Sequence, residues 1–111
     1  MERQLPLGTA ESCTGGMVGV RLTDVAGASQ AVRGAVIAYD NAVKTRTLRV
    51  PEESLISHGA VSAEVAEKMA QGVRLALDVD LGIAITGIAG PGGGTAEKPV
   101  GLVYVHVSTD D

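Results

Sequence analysis

The chain has 111 residues and a formal net charge of −4, enough for one small domain spanning 1–111 and too few for two. The acidic balance, with no basic patch and only 2% aromatic residues, argues against a nucleic-acid surface, and no apolar run approaches the roughly 18 residues of a membrane span. A single cysteine excludes an internal disulfide framework and fits a reducing, cytoplasmic setting; "MERQLPLG" is too short and acidic for a signal peptide.

The first predicted element is a short strand at Leu5 to Ala10, which runs into the polar stretch "ESCTGG". Residues 14–27 then have helical spacing, with Met17, Val18, Leu22 and Val25 inward and Gly27 as a natural stop. Ala31 to Asp40 is β-rich, and its apolar run Ala35 to Ala38 reads as a strand buried on both faces. "NAVKTRTLRV" is helical until Pro51 opens another short helix, with the proline in its first turn. Ser62 caps the strongest helix, Ala63 to Leu77, where Val65, Met69, Val73 and Leu77 form an inward stripe. Asp80 to Thr86 is a further buried strand, followed by a Gly/Pro loop and a last strand, Val100 to Ser108.

Without Phe or Trp, the core must be built from Val, Ile, Leu, Ala and Met. Apolar strands interleaved with helices predict an α/β fold with a central sheet. The loop between the last two strands is too short for a helical crossover. Those two strands are therefore antiparallel, in a sheet that is otherwise mostly parallel.

Several chemistries are missing. "GIAGPGGGT" lacks the Lys-Ser/Thr of a phosphate-binding Walker loop and precedes a strand, and no G-x-S-x-G surrounds Ser12. His58 and His106 lack the spacing of a metal site, and His106 reads as structural. Ligands of open α/β sheets bind beyond the carboxyl ends of parallel strands. Three segments qualify: Thr9–Gly16 with Ser12, Cys13 and Thr14; Tyr39–Lys44 with Asn41; and Thr86–Gly94 with its glycine amides.

A hydroxyl before a helix is ordinarily a cap, and Thr14, directly before Gly15 and Gly16, suits that role. Ser12 is then left near a helix N-terminus whose amides could hold an oxyanion. Lys44 is either a solvated surface lysine or a base kept neutral by burial. Cys13 is either a rival nucleophile or a small buried residue.

"TAESCTGG", "GAVIAYDNAVK", "HGAVSAEVAEKMAQG" and "DLGIAITGIAGPGGGTAEKPVGLVYV" together resemble the CinA C-terminal domain, the family of bacterial nicotinamide mononucleotide deamidases, from about Thr9 to Val107. The resemblance implies a three-layer α/β/α domain with a mixed, mostly parallel sheet. It implies an amidohydrolase of pyridine nucleotide salvage that forms nicotinic acid mononucleotide and ammonia with no metal or cofactor. Ser12 would be the nucleophile and Lys44 the general base. In that scheme the amides of Cys13, Thr14, Gly15 and Gly16 receive the oxyanion. Tyr39 and Asn41 orient the lysine or the carboxamide, and Thr86, Gly87, Gly90, Gly92 and Gly93 cradle the ribose phosphate. Asp40 stands where the family usually has serine. Relative to the family the chain is expected to be shortened at both ends, to lack a C-terminal basic residue, and to pair its sheet edges in a homodimer or higher homo-oligomer. The alternative reading is a weakly active or inactive module that binds nucleotides or partners.

Overall fold

The computed structural model describes residues 5–109. Its sheet grows outward from β1 (Leu7–Glu11), which lies between two parallel neighbours, β2 (Val32–Ile37) and β3 (Leu81–Gly87). β4 (Val103–Ser108) returns antiparallel to β3 and completes the order β2-β1-β3-β4. The mixed sheet and its antiparallel closing pair are as predicted.

Helices cover both faces. α1 (Met17–Thr23) packs on β1 and β2 from one side, while α2 (Asn41–Leu48), α3 (Glu52–His58) and α4 (Ala63–Leu77) form the layer on the other. Alternation along β1 makes the division visible. Gly8 sits against Leu77 of α4, whereas Thr9 and Glu11 lie beneath Gly19 of α1. The core is assembled around α4, whose Val65, Met69 and Val73 are completely buried. Ser62 caps it as the sequence indicates, its hydroxyl accepting from the Val65 amide at 3.2 Å.

Two glycines let the main chains touch. A Cβ on Gly72, in the middle of α4, would lie 1.9 Å from the Leu48 carbonyl oxygen at the end of α2. A Cβ on Gly82 of β3 would lie 2.2 Å from the Ala70 carbonyl oxygen. α4 is thus pressed onto the sheet and onto α2, and that contact fixes how far α2 stands from the strand ends.

Three expectations are corrected. α1 is shorter than predicted, and Met17 and Val25 are 66% and 61% exposed, so only Val18 and Leu22 of the expected stripe turn inward. The chain leaves the helix at Asp24 and forms a 3-10 turn at Ala28–Gln30 after Gly27 (φ 83°). β2 is an edge strand with alternating exposure, not one buried on both faces, and Ile37 is half-exposed. An apolar run does not tell an edge from a centre. Finally, Val100 lies outside β4, because Gly101 (φ 94°) turns the chain and donates its amide to the Ile88 carbonyl. On the α1 side, β4 leaves Val103, Val105 and Val107 exposed. Among the described residues no helix is long and apolar enough to cross a membrane.

Gly72→Ala tests the α2–α4 contact. Helix propensity alone favours alanine by about 1 kcal/mol, but overpacking against a backbone carbonyl costs about 1–3 kcal/mol or more and is expected to win. Urea unfolding should show a net loss of stability; an unchanged or raised midpoint would mean that α2 and α4 are not in backbone contact.

Candidate active site

Ser12 follows β1 directly and continues its ladder, its amide donating to the Ile85 carbonyl at 3.0 Å. The chain then turns back on itself through Gly15 (φ 60°) and Gly16 (φ 105°), conformations that glycine alone adopts freely. Lys44 lies on α2, four positions before Leu48, and both side chains face the interior. Its stem carries the amine under the end of β1. There Nζ donates to the carbonyls of Ala38 at 2.8 Å and Tyr39 at 3.1 Å, and lies 3.0 Å from the Ser12 Oγ. Lys44 is 1% exposed and Ser12 7%.

This geometry accommodates a neutral amine. A neutral amine satisfies the two carbonyls with its two N–H bonds, which leaves its lone pair toward the serine hydroxyl. Burial pushes the Lys44 pKa down, against opposing pulls from the Asp40 carboxylate and from Cys13. The thiol of Cys13 is pushed up by burial, against the nearby Cys13 and Thr14 amides and Lys44, so it stays protonated. Of the two candidate nucleophiles, only Ser12 shares a hydrogen bond with the amine.

These groups meet in a cavity of about 250 Å³. Ser12, Cys13, Lys44, Tyr39, Asn41, Thr86 and Gly87 line it, so the three strand-end segments converge as expected. Ala60, Val61 and Ala89 complete the wall, and nothing in their residue type announced them. The Thr86 hydroxyl is already committed to the Ala60 carbonyl at 2.8 Å. It ties the segment before α4 to the cavity floor. A larger depression of about 440 Å³ between α2 and α3 shares Asn41 but none of the reacting groups.

Other expected residues lie elsewhere. Thr14 does not cap α1: its hydroxyl donates to Glu11 Oε1 at 2.7 Å, and the N-cap position is Gly16. Gly15 and Gly16 cannot offer amides to an oxyanion, because Gly15 N–H donates to the Ser12 carbonyl and Gly16 N–H to Glu11. With Thr14 they line a separate surface depression beside Met17 and Ile37. Among the described residues, the turn amides without a main-chain or carboxylate acceptor are those of Cys13 and Thr14. Gly90, Gly92 and Gly93 stand beyond the cavity, in a loop folded on itself where Thr95 N–H donates to the Lys98 carbonyl. His106 lies on β4 beside Glu64 and Glu67 of the α4 face, away from the cavity. Among the described residues, no cluster of three or more His, Cys, Asp or Glu is arranged to hold a metal ion.

The residue that sequence reasoning missed is Glu11. It is completely buried and accepts from Thr9, Thr14, Gly16, Val18 and Gly19. Burial alone would raise its pKa, but the donors Thr14, Gly19, Val18 and Thr9 outweigh it and hold the carboxyl below its ordinary value. A charged residue at the end of an otherwise apolar strand was the available signal.

The sequence matches the CinA C-terminal domain over residues 1–111. The chain belongs to the CinA family. A CinA-like protein of Gemmatimonas aurantiaca is 59% identical over 97% of this chain and 25% of its own length. A putative competence-damage inducible protein of Halothermothrix orenii is 52% identical over 99% of this chain and 27% of its own. This CinA domain therefore spans about a quarter of the curated relatives it matches. Among solved structures, the competence/damage inducible protein CihA of Agrobacterium tumefaciens superposes with a TM-score of 0.92 at 45% identity, over 96% of this chain and 64% of that one. A competence damage-inducible protein of Klebsiella pneumoniae gives 0.91 at 34% identity, over 96% and 66%.

The buried amine has a stability signature. The native pKa of Lys44 is lowered, so between that value and the unfolded value of about 10.4 the unfolded chain holds a proton that the native chain has shed. Through that window stability should rise with pH; below it, both states are protonated and the slope vanishes. Comparing urea unfolding of the wild type with Lys44→Met across the window isolates this contribution. A stability difference that does not change with pH would show that Lys44 titrates like a solvated lysine.

Proposed function

We propose that this CinA domain is an amidohydrolase that converts nicotinamide mononucleotide into nicotinic acid mononucleotide and ammonia through Ser12 and Lys44. One observation carries the reading: a buried amine of lowered pKa, held by two carbonyls, lies 3.0 Å from the Ser12 hydroxyl. The family resemblance supplies the substrate. The cavity, at about 250 Å³, suits a single planar ring with its carboxamide.

In this scheme neutral Lys44 takes the Ser12 proton as Oγ attacks the carboxamide carbon. The tetrahedral oxyanion rests on the amides of Cys13 and Thr14. Collapse expels the amide nitrogen, which takes its proton from the Lys44 ammonium and leaves as ammonia. A water molecule then gives a proton to Lys44 and attacks the acyl carbon, and Ser12 Oγ departs with the proton that Lys44 returns. Tyr39 and Asn41 flank the carboxamide. No cofactor enters the scheme.

Ammonia release from nicotinamide mononucleotide by the 111-residue chain tests this directly. Ser12→Ala and Lys44→Met are each expected to lower kcat by at least about 10³-fold, while Cys13→Ser retains most of it. Full turnover in Ser12→Ala would end the assignment, and calorimetric binding of the mononucleotide without product over hours would replace it with a non-catalytic module. The pH profile is a second expectation. Because the base is the neutral amine, kcat/KM should rise with pH along a limb whose midpoint lies below about 10.4, and a limb absent from the wild type or unchanged in Lys44→Met would exclude the lysine as its source.

A further inference from the structure

We infer that Glu11 is the positioning residue of this site: its buried carboxylate holds the turn that presents the Ser12 hydroxyl to the Lys44 amine. The inference rests on the Ser12–Lys44 reading and names what keeps that pair in register.

A buried carboxylate is costly unless its oxygens are satisfied. Glu11 is satisfied entirely by neutral donors. Oε1 accepts from the Thr14 hydroxyl at 2.7 Å, the Gly16 amide at 3.1 Å and the Val18 amide at 3.0 Å. Oε2 accepts from the Gly19 amide at 2.8 Å and the Thr9 hydroxyl at 3.1 Å. These donors come from both sides of Ser12 in the chain, from β1 before it and from the turn and first helical residues after it. Ser12 is clamped between them.

The main chain of the same residue reaches the other partner. The Glu11 carbonyl accepts from the Ala38 amide at 2.7 Å, and the Ala38 carbonyl in turn accepts from Lys44 Nζ at 2.8 Å. Serine and lysine, 32 positions apart in sequence, are thus both referred to one residue. The arrangement also explains why the start of α1 offers nothing to a substrate. Its free amides, which a helix must satisfy somehow, already end on Glu11.

Glutamate is the residue this requires. An ionised carboxylate only accepts, with about four lone-pair sites. Glutamine would turn an NH2 group toward some of the five donors, and aspartate is one methylene too short to reach the helix amides from the strand end. Glu11 itself touches no reacting atom, so its effect is geometric. Displacements near 1 Å in a catalytic pair cost about 10²-fold in rate.

A fluorophosphonate tests the geometry without nicotinamide mononucleotide. Ser12 Oγ forms a bond to phosphorus, the P–F bond breaks, fluoride leaves, and the hydroxyl proton passes to Lys44. Glu11→Gln, with its fold verified by circular dichroism, is expected to label at Ser12 about 10²-fold more slowly than the wild type. With the mononucleotide, kcat per active site, the sites counted from the endpoint of Ser12 labelling, should fall comparably while KM stays nearly constant; counting sites removes the share of the loss that unfolded protein would cause. Folded Glu11→Gln that labels at the wild-type rate overturns the inference. Should Glu11→Gln not fold, Thr14→Val decides, because it withdraws only the 2.7 Å bond: slower labelling supports the clamp and an unchanged rate overturns it. A wild type that labels at Ser12 but releases no ammonia sinks the proposed substrate and leaves the role of Glu11 standing. One that does not label at Ser12 sinks both.

Discussion

A primary amine kept out of water is the constraint on which the rest of this structure depends. Lys44 is almost completely buried, yet all three of its near neighbours are oxygens: two main-chain carbonyls and the Ser12 hydroxyl. The carbonyls fix orientation, and burial lowers the pKa of the amine. Two N–H bonds are used by fixed acceptors, so the remaining position of the nitrogen can only face the serine. Desolvation meanwhile works against the ammonium form, in competition with the Asp40 carboxylate. Either device without the other would fail. A charged lysine in the same place would be a hydrogen-bond donor to Ser12 rather than a base, and a neutral lysine without the carbonyls would have no fixed direction.

Building that arrangement requires close approach of backbone to backbone, and the composition provides it. The chain has no Phe or Trp and 15 glycines, so its layers meet across small side chains. α4 contacts the end of α2 through Gly72 and the sheet through Gly82, which holds α2 close enough for a lysine stem to reach Ser12 at the end of β1. The cost is two ionisable side chains, Lys44 and Glu11, placed completely inside a domain whose net stability is expected to be only about 5–15 kcal/mol. Both are tolerated for the same reason. Every strong hydrogen-bonding position on each is occupied by a main-chain group or a neighbouring hydroxyl.

The site also shows how a helix N-terminus can be present without being a binding site. Its proximity to Ser12 makes the start of α1 attractive for an oxyanion, but Glu11 occupies those amides and neutralises that end of the helix. The turn amides left without a main-chain or carboxylate acceptor, among the described residues, are thereby those of Cys13 and Thr14 rather than those of Gly15 and Gly16. The glycines contribute through conformation instead, since their positive φ values allow the chain to reverse sharply enough for Glu11 to reach α1.

The sequence by itself determined the order of elements, the Ser62 cap, the antiparallel closing pair and the convergence of three strand-end segments. Each of these follows from local pattern or from loop length. It also contained the candidate pair, because Ser12 and Lys44 lie in segments that parallel strands must bring together. Only the tertiary structure decided that β2 is an edge, that α1 ends early with Met17 and Val25 exposed, that Thr14 serves Glu11 instead of a helix end, and that Gly90, Gly92 and Gly93 stand away from the cavity. The same holds for the amine itself. "VKTR" is as compatible with a solvated lysine as with a buried one, and the burial that lowers the Lys44 pKa arises from tertiary packing. Periodicity reports which face of an element is apolar; what covers that face, and which polar group is trapped beneath it, depends on long-range packing that no local pattern encodes.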